Sequence, residues 1–344
     1  MAYTYPVSLR GSPGSPYTRK MLSLLRYRRI AYRYMIRSHG PVEGYPSPKV
    51  ELLPTFYLPG ADGELEAVVD STPIIRRFER EVSGRGVLPP DPVLRFVDEV
   101  LEDFGDEWLT KAMFHYRWAF EADVAQAAAI LPRWMNVTWA DDFIARQGAF
   151  FSKRQIDRLY VVGSNATTGK IIEANYMAFL DAFDAHLQAH PFLMGGRPGA
   201  SDFAVFGQLT QLAHFDPTPT QLTLTRSPRT YAWVDVMEDL SGLEARDEDW
   251  LTGGTLPETL KALLALVGRV YLPLLVANAA ALDAGRKTID AEIDGAPWVQ
   301  DTNPYQAKCL LTLRRSFGDL AGADRAAAAA LLEETGCAAL MQAG

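Results

Sequence analysis

The sequence predicts an α/β domain followed by an all-helical domain, with a small hairpin-and-helix appendix at the end. Three observations carry this. Within the first 86 residues, runs with an apolar period of two alternate with runs of helical period. Ser83 to Pro92, rich in Gly and Pro, then has the composition of a linker. Beyond it helical periodicity dominates until an Asp-Gly turn, Asp294-Gly295, between two strand-like runs. The expected units are residues 1–86, 92–285 and 286–344.

Taken in order, Tyr3, Tyr5, Val7 and Leu9 alternate with Thr4, Pro6, Ser8 and Arg10, the pattern of a half-buried strand that Gly11 ends. Ser15 is a good helix N-cap and Pro16 suits the first helical position, so a helix should begin at Pro16. Its free N–H groups and positive dipole end favour an anion beside Ser15, such as a thiolate or carboxylate. Residues 31–37 read as a second strand, and His39 to Pro48, rich in Gly and Pro, as a loop. Leu52 to Leu58, the turn Ala61-Asp62-Gly63 and Leu65 to Val69 read as a hairpin with Pro54 near its start. Asp70-Ser71-Thr72-Pro73 caps a further helix carrying Ile74, Ile75 and Phe78, with Arg76, Arg77 and Arg80 facing solvent.

This order of motifs resembles a known family. The strand, the Ser15-Pro16-Tyr17 turn and the helix resemble the start of a thioredoxin-fold domain, with Ser15 and Thr18 where redox members carry Cys-Pro-Tyr-Cys. With Leu53-Pro54 and Asp70-Ser71 following at this spacing, the chain resembles the glutathione S-transferase family. The resemblance implies a β-α-β-α-β-β-α thioredoxin-like domain, an all-α second domain and a homodimer. It implies glutathione as co-substrate, held by the backbone of Leu53 before a cis Pro54, by Asp70 and Ser71 at its γ-glutamyl end, and by Lys49 at a carboxylate. It also implies that Ser15, together with the helix N-terminus, stabilises the glutathione thiolate, with Tyr5 as a second candidate and Tyr17 and Ser12 weaker ones. The hydrophobic electrophile would meet Tyr17 and the aromatics of Phe114-His115-Tyr116-Arg117-Trp118, chiefly Phe114, Tyr116 and Trp118. Aromatics at helical spacing equally read as core.

In the second unit, Val93, Phe96, Val97, Val100, Leu101 and Phe104 recur at helical intervals, with Asp98, Glu102, Asp103, Asp106 and Glu107 between them. The carboxylates read as one solvated face, and with no matching histidines they do not form a metal site. The helical run from Glu121 breaks or kinks near Pro132. Gly163 to Lys170 fails as a phosphate loop, because Ile171 follows Lys170 where Ser or Thr is required. Asp202 fits the family's buried capping box, although Gly199 replaces the usual Ser or Thr cap. Residues 256–284 read as another helix. Lys287 to Gln300 read as a hairpin, and residues 304–318 and 322–341 as two closing helices. Trp298 and Tyr305 either pack this appendix on the body or cover the cleft.

With 344 residues, 48% of them hydrophobic, the chain can bury two cores. A formal net charge of −8 argues against a nucleic-acid partner. The basic cluster Lys20, Arg26, Arg28, Arg29, Arg33 and Arg37 reads as solvated, or as a lure for a small anion. The only cysteines, Cys309 and Cys337, suggest a reducing, cytoplasmic setting. No secretory signal is evident, and Leu260 to Leu282, broken by Lys261, Arg269 and Pro273, reads as a core helix that leaves no membrane partner expected. The expected reaction is attack by glutathione on a hydrophobic electrophile. The alternatives are a non-catalytic glutathione-fold binding protein and a glutathione-dependent isomerase or lyase.

Overall fold

The computed structural model describes residues 6–37 and 40–342. Strand β1 (Val7–Gly11) leads through a short loop into α1 (Pro16–Tyr27), then β2 (Tyr32–Ile36), β3 (Thr55–Pro59), β4 (Leu65–Val68) and α2 (Ser71–Glu81). The four strands form one sheet in the order β2-β1-β3-β4; β1 runs parallel to β2, and the other two pairs are antiparallel. This is a thioredoxin-like sheet. Between β2 and β3, residues 40–54 form turns and bends where the full β-α-β-α-β-β-α order has its second helix. Pro41, Pro46 and Pro48 cannot donate to a helix, and Gly40 and Gly44 adopt φ of 115° and 77°, which suit turns.

The helical domain comprises α3 (Pro92–Glu107), α4 (Leu109–Ala119), α5 (Glu121–Met135), α6 (Asp141–Ile156), α7 (Thr168–Leu187), α8 (Ala200–Leu212), α9 (Pro217–Arg226) and α10 (Pro228–Glu238). The helical stretch that opens this domain is two helices, α3 and α4, joined at Trp108, and α5 ends three residues after Pro132. Every residue of α8 is buried, the polar Ser201, Asp202, Gln208, Thr210 and Gln211 included. It is the post against which α1 and α3 pack. Gly207 lets α1 approach, since a Cβ there would stand 2.5 Å from the carbonyl oxygen of Pro16. At the start of α8, Asp202 accepts from the N–H groups of Gly199 (2.9 Å) and Leu193 (2.9 Å). The cap that Gly199 cannot supply comes from α3: Asp98 accepts from the N–H groups of Ala200 (3.2 Å) and Ser201 (3.0 Å) and from the Ser201 hydroxyl (2.6 Å).

That contact corrects the solvated-face reading of α3. Asp98, Glu102 and Asp106 are buried, because α3 lies between α8, the first domain and the C-terminal segment instead of on the surface. The basic cluster is corrected in part, since Arg29, Arg33 and Arg37 are exposed but the other three are not. Lys20 is fully buried against Glu102 (2.9 Å) and Asp106 (2.6 Å), Arg26 pairs with Glu238 (2.6 Å), and Arg28 pairs with Glu79. Arg76 meets Glu102 at 2.9 Å and does not simply face solvent. These cations join elements and are not free to gather an anion.

The chain continues through α11 (Glu258–Leu266), a π-helical turn (Val267–Tyr271) and α12 (Leu272–Asp283), then β5 (Thr288–Ile293), β6 (Ala296–Asp301), α13 (Pro304–Asp319) and α14 (Gly322–Glu334). Asp294 (φ 51°) and Gly295 (φ 75°) make the two-residue turn between β5 and β6, both with the positive φ that such a hairpin demands. The run Glu258–Asp283 is long and apolar enough to cross a membrane by length and composition. Here Leu260, Leu264, Val270 and Leu274 are buried in the main core. Both cysteines are buried and free.

Candidate functional site

The residues singled out from the sequence converge through the sheet register. Pairing of β1 with β3, Arg10 opposite Thr55, sets the segment before β3 beside the loop after β1. Pairing of β3 with β4, Phe56 opposite Val68, returns the chain so that Asp70 and Ser71 start α2 along the same edge. Ser15 caps α1, its Oγ accepting from the Thr18 N–H at 3.2 Å. Its hydroxyl points to the Leu53 carbonyl oxygen at 3.5 Å, and the Leu53-Pro54 peptide is cis. One hydroxyl, the positive end of a helix and the backbone before a cis-proline therefore meet at a partly exposed point.

The start of α2 is unusual. Asp70 holds φ 78° and ψ 114°, a conformation that a side-chain-bearing residue rarely adopts, and it makes no side-chain cap bond to its own helix. Its Oδ2 accepts from the Tyr305 hydroxyl of α13 at 3.0 Å. Ser71 is buried beside it, and the Thr72 hydroxyl donates to Glu102 at 3.0 Å. Lys49 is exposed in the segment before β3. Tyr5 lies outside the described residues.

The loop carrying Ser15 is held from behind by a buried cluster. Arg117 forms a fork to Asp216 (Nε to Oδ1 2.8 Å, Nη2 to Oδ2 2.9 Å), meets Gln211 Oε1 at 2.7 Å and donates to the Gly14 carbonyl at 3.3 Å. Gln211 Nε2 donates to the Pro13 carbonyl at 3.3 Å. Burial pushes the Asp216 carboxyl up to about 6, although Arg117 pulls it down. Sequence reasoning missed this cluster; its only trace was a charged residue inside an aromatic run.

The proposed electrophile wall divides. Trp118, buried at 3% exposure, is packed core and a correction to the expected wall; the partly buried Phe114, Trp134, Leu131 and Phe151 pack around it and Phe215. A Cβ on Gly14 would stand 2.8 Å from Leu131 and 3.0 Å from Trp134, so this cluster adjoins the Ser15 loop. Trp134, Leu131 and Phe151 were not singled out, because Leu131 and Trp134 flank Pro132 and read as a helix break. Tyr116 is a correction: it points the other way and stacks on Phe120 (5.3 Å) and against Tyr176 (5.6 Å) in the main core. Tyr17 is another, since its hydroxyl donates to the Asp106 carbonyl at 2.7 Å and joins α1 to α3. Burial, then Glu107 and Asp106, push its phenol far up. His115 is buried between Ser164 (2.7 Å) and Glu173 (3.2 Å).

On the opposite side of α1 is an acid-rich interior. Burial pushes Asp103 up to about 8 and Asp106 to about 7, while Glu102, against its own burial, is held down to about 2 by Lys20 and Arg76. Among the described residues no group of three or more His, Cys, Asp or Glu could hold a metal ion.

Two family models match the chain: the N-terminal domain of glutathione S-transferase over residues 9–86 and its C-terminal domain over residues 141–236. The chain belongs to the glutathione S-transferase family. Residues 237–344 follow both matched stretches. Among solved structures, a glutathione transferase from Pseudomonas putida, with one glutathione disulfide bound per subunit, is 15% identical; the match covers 72% of this chain and 90% of that one, at a TM-score of 0.41. A glutathione S-transferase from Methylobacterium radiotolerans, in complex with glutathione sulfonate, is 18% identical over 74% of this chain and 98% of that one, at 0.42. The Tau class enzyme from mango is 17% identical over 71% and 94%, at 0.41. No curated protein matched.

Proposed function

We propose that this glutathione S-transferase family protein binds glutathione along the edge formed by Leu53, Asp70 and Ser71, and stabilises its thiolate for attack on a hydrophobic electrophile. The observation that carries the reading is Ser15, a partly exposed hydroxyl at the N-terminus of α1 beside the Leu53-Pro54 cis peptide. A thiolate there would gain a hydroxyl hydrogen bond and the favourable end of a helix dipole, both of which lower a thiol pKa. Ser15 does not take the proton; it stabilises the anion after the proton has left to solvent. The new carbon–sulfur bond forms as the electrophile's leaving group departs, or as its double bond accepts the electron pair.

The partly buried Leu131 and Trp134 beside the same loop, with Phe114 in their cluster, suit an apolar second substrate. Family membership also supports glutathione as co-substrate and a homodimer, and the two free cysteines favour a reducing, cytoplasmic setting; sedimentation and cell fractionation are the checks.

Calorimetric titration of reduced glutathione into the wild type and Ser71→Ala, with a thiolate absorbance scan, is the test. Ser71→Ala should bind about ten-fold more weakly, the loss of one hydrogen bond to a charged group. Ser15→Ala should raise the bound thiol's pKa by about one unit, a change of ~1.4 kcal/mol, and lower kcat/KM by about ten-fold. Absence of binding at millimolar glutathione would overturn the reading. Tyr5→Phe serves as the control: a larger loss there than in Ser15→Ala transfers the sulfur contact to Tyr5. Glutathione affinity without turnover on any electrophile leaves the binding-protein alternative.

A further inference from the structure

Asp70 has its carboxylate in an unusual position. It precedes α2 with a positive φ and gives its helix no side-chain cap, so its side chain serves something other than its own helix. One oxygen, Oδ2, accepts from Tyr305 at 3.0 Å; Oδ1 has no hydrogen-bond partner among the described residues. The Tyr305 phenol is pushed far up, first by burial and then by Asp70, and therefore stays a neutral donor at any physiological pH.

The Tyr305 side chain is 45% exposed and meets Asp70 at the surface, but its backbone is anchored. Tyr305 opens α13, where Asn303 Oδ1 accepts from its N–H at 2.9 Å. Asn303 exchanges two hydrogen bonds of 2.8 Å with Asn278 of α12. The next residue, Gln306, is buried and donates to Glu107 of α3 at 3.2 Å. The C-terminal segment, which follows both family-matched stretches, thus places the phenol of a backbone-anchored residue on a carboxylate of the first domain.

We propose that Tyr305 is a positioning residue of the γ-glutamyl subsite, holding Asp70 by Oδ2 so that Oδ1 is presented to the ligand's α-ammonium. The inference rests on the glutathione reading above. A carboxylate fixed by one neutral donor keeps its full negative charge and loses rotational freedom, so it meets a cation at lower entropic cost. The ligand class selected is a thiol peptide with a free α-ammonium at its γ-glutamyl end. The same thiol without that ammonium gains nothing from the arrangement.

The test compares reduced glutathione with glutaryl-cysteinylglycine, the same tripeptide with the ammonium replaced by hydrogen, titrated into the wild type, Tyr305→Phe and Tyr305→Gln. Tyr305→Phe should weaken glutathione by about five-fold, the order of one hydrogen bond to a charged group, and leave the des-amino peptide unchanged. Tyr305→Gln, which keeps a donor, should recover part of the loss. Equal weakening of both peptides would mean a structural role and overturn the proposal. Unchanged or tighter glutathione binding in Tyr305→Phe would overturn it too, the latter making Tyr305 a plug on the subsite. A wild type that binds neither peptide would fail the glutathione reading itself, a result distinct from all of these.

Discussion

Two buried cations flank the start of α1, and their surroundings differ. Arg117 is matched by a single carboxylate, Asp216, and its remaining donors go to neutral oxygens of Gln211 and Gly14. Lys20 faces both Glu102 and Asp106, on a helix that also carries Asp98, Asp103 and Glu107, with Arg76 as the other cation on Glu102. The first flank is balanced and serves as a rigid back wall for the Ser15 loop. The second holds surplus acid, and part of it must keep its protons near neutral pH. The difference assigns rigidity of the Ser15 loop to the Arg117 flank and pH sensitivity of the fold to the α3 flank.

Arg117→Ala strikes the comparison hardest. It leaves Asp216 buried without its cation, for which breaking a buried pair costs about 3–5 kcal/mol. It also frees the Gly14 carbonyl, so glutathione affinity should fall along with the denaturant midpoint. Arg117→Lys keeps the charge but loses the fork and should lie between the variant and the wild type. A stability cost below about 1 kcal/mol for Arg117→Ala would show that the wall is not built by that pair.

Asp103→Asn addresses the other flank. Asp103 accepts from the Tyr271 hydroxyl at 2.6 Å, and burial pushes its carboxyl to about 8. The folded value lies above the unfolded one of about 4. The folded chain therefore binds this proton more tightly, and the stability it contributes is fully present below pH ~4 and lost as pH rises through ~8. Asparagine cannot ionise, so the variant should gain on the wild type across that interval, by about 2–3 kcal/mol at pH 8, within the linkage limit of ~1.4 kcal/mol per unit. Melting curves from pH 4 to pH 9 show this as diverging midpoints. Parallel curves would remove the pH sensitivity from Asp103.

The first domain was legible because its signals are local. Ser15-Pro16 and Leu53-Pro54, like the Asp-Gly turn at 294–295 in the C-terminal segment, each dictate backbone conformation within a few residues. The α3 carboxylates were misread for the opposite reason. An acidic stripe between apolar positions looks solvated unless its distant partners are known, and Lys20, Tyr271 and the α8 N-terminus lie 78 or more residues away in sequence from Asp98, Asp103 and Glu102. Tyr305 on Asp70, separated by 235 residues, belongs to the same class. Within Phe114 to Trp118 the aromatics drew attention, yet the 3.6-residue period sends Tyr116 to the main core and keeps Phe114 and Trp118, four apart, on the face toward the Ser15 loop.

The smallest effect is expected from Gln211→Ala, and it separates the fork from the hydrogen bond to the loop. Gln211 is buried; its Oε1 accepts from Arg117, and its Nε2 donates to the Pro13 carbonyl and to the Thr210 hydroxyl. Truncation leaves both Arg117–Asp216 bonds in place, so no buried charge is stranded. The cost should be about 1.5–2 kcal/mol, set mainly by the hydrogen bond lost from the Arg117 guanidinium. Because Arg117 still holds Gly14, glutathione affinity should change by less than about two-fold, under ~0.4 kcal/mol. Calorimetry and denaturation on the same preparation check both numbers. A Gln211→Ala loss as large as that of Arg117→Ala would mean that the loop hangs on the amide and not on the ion pair, reversing the role assigned to this flank.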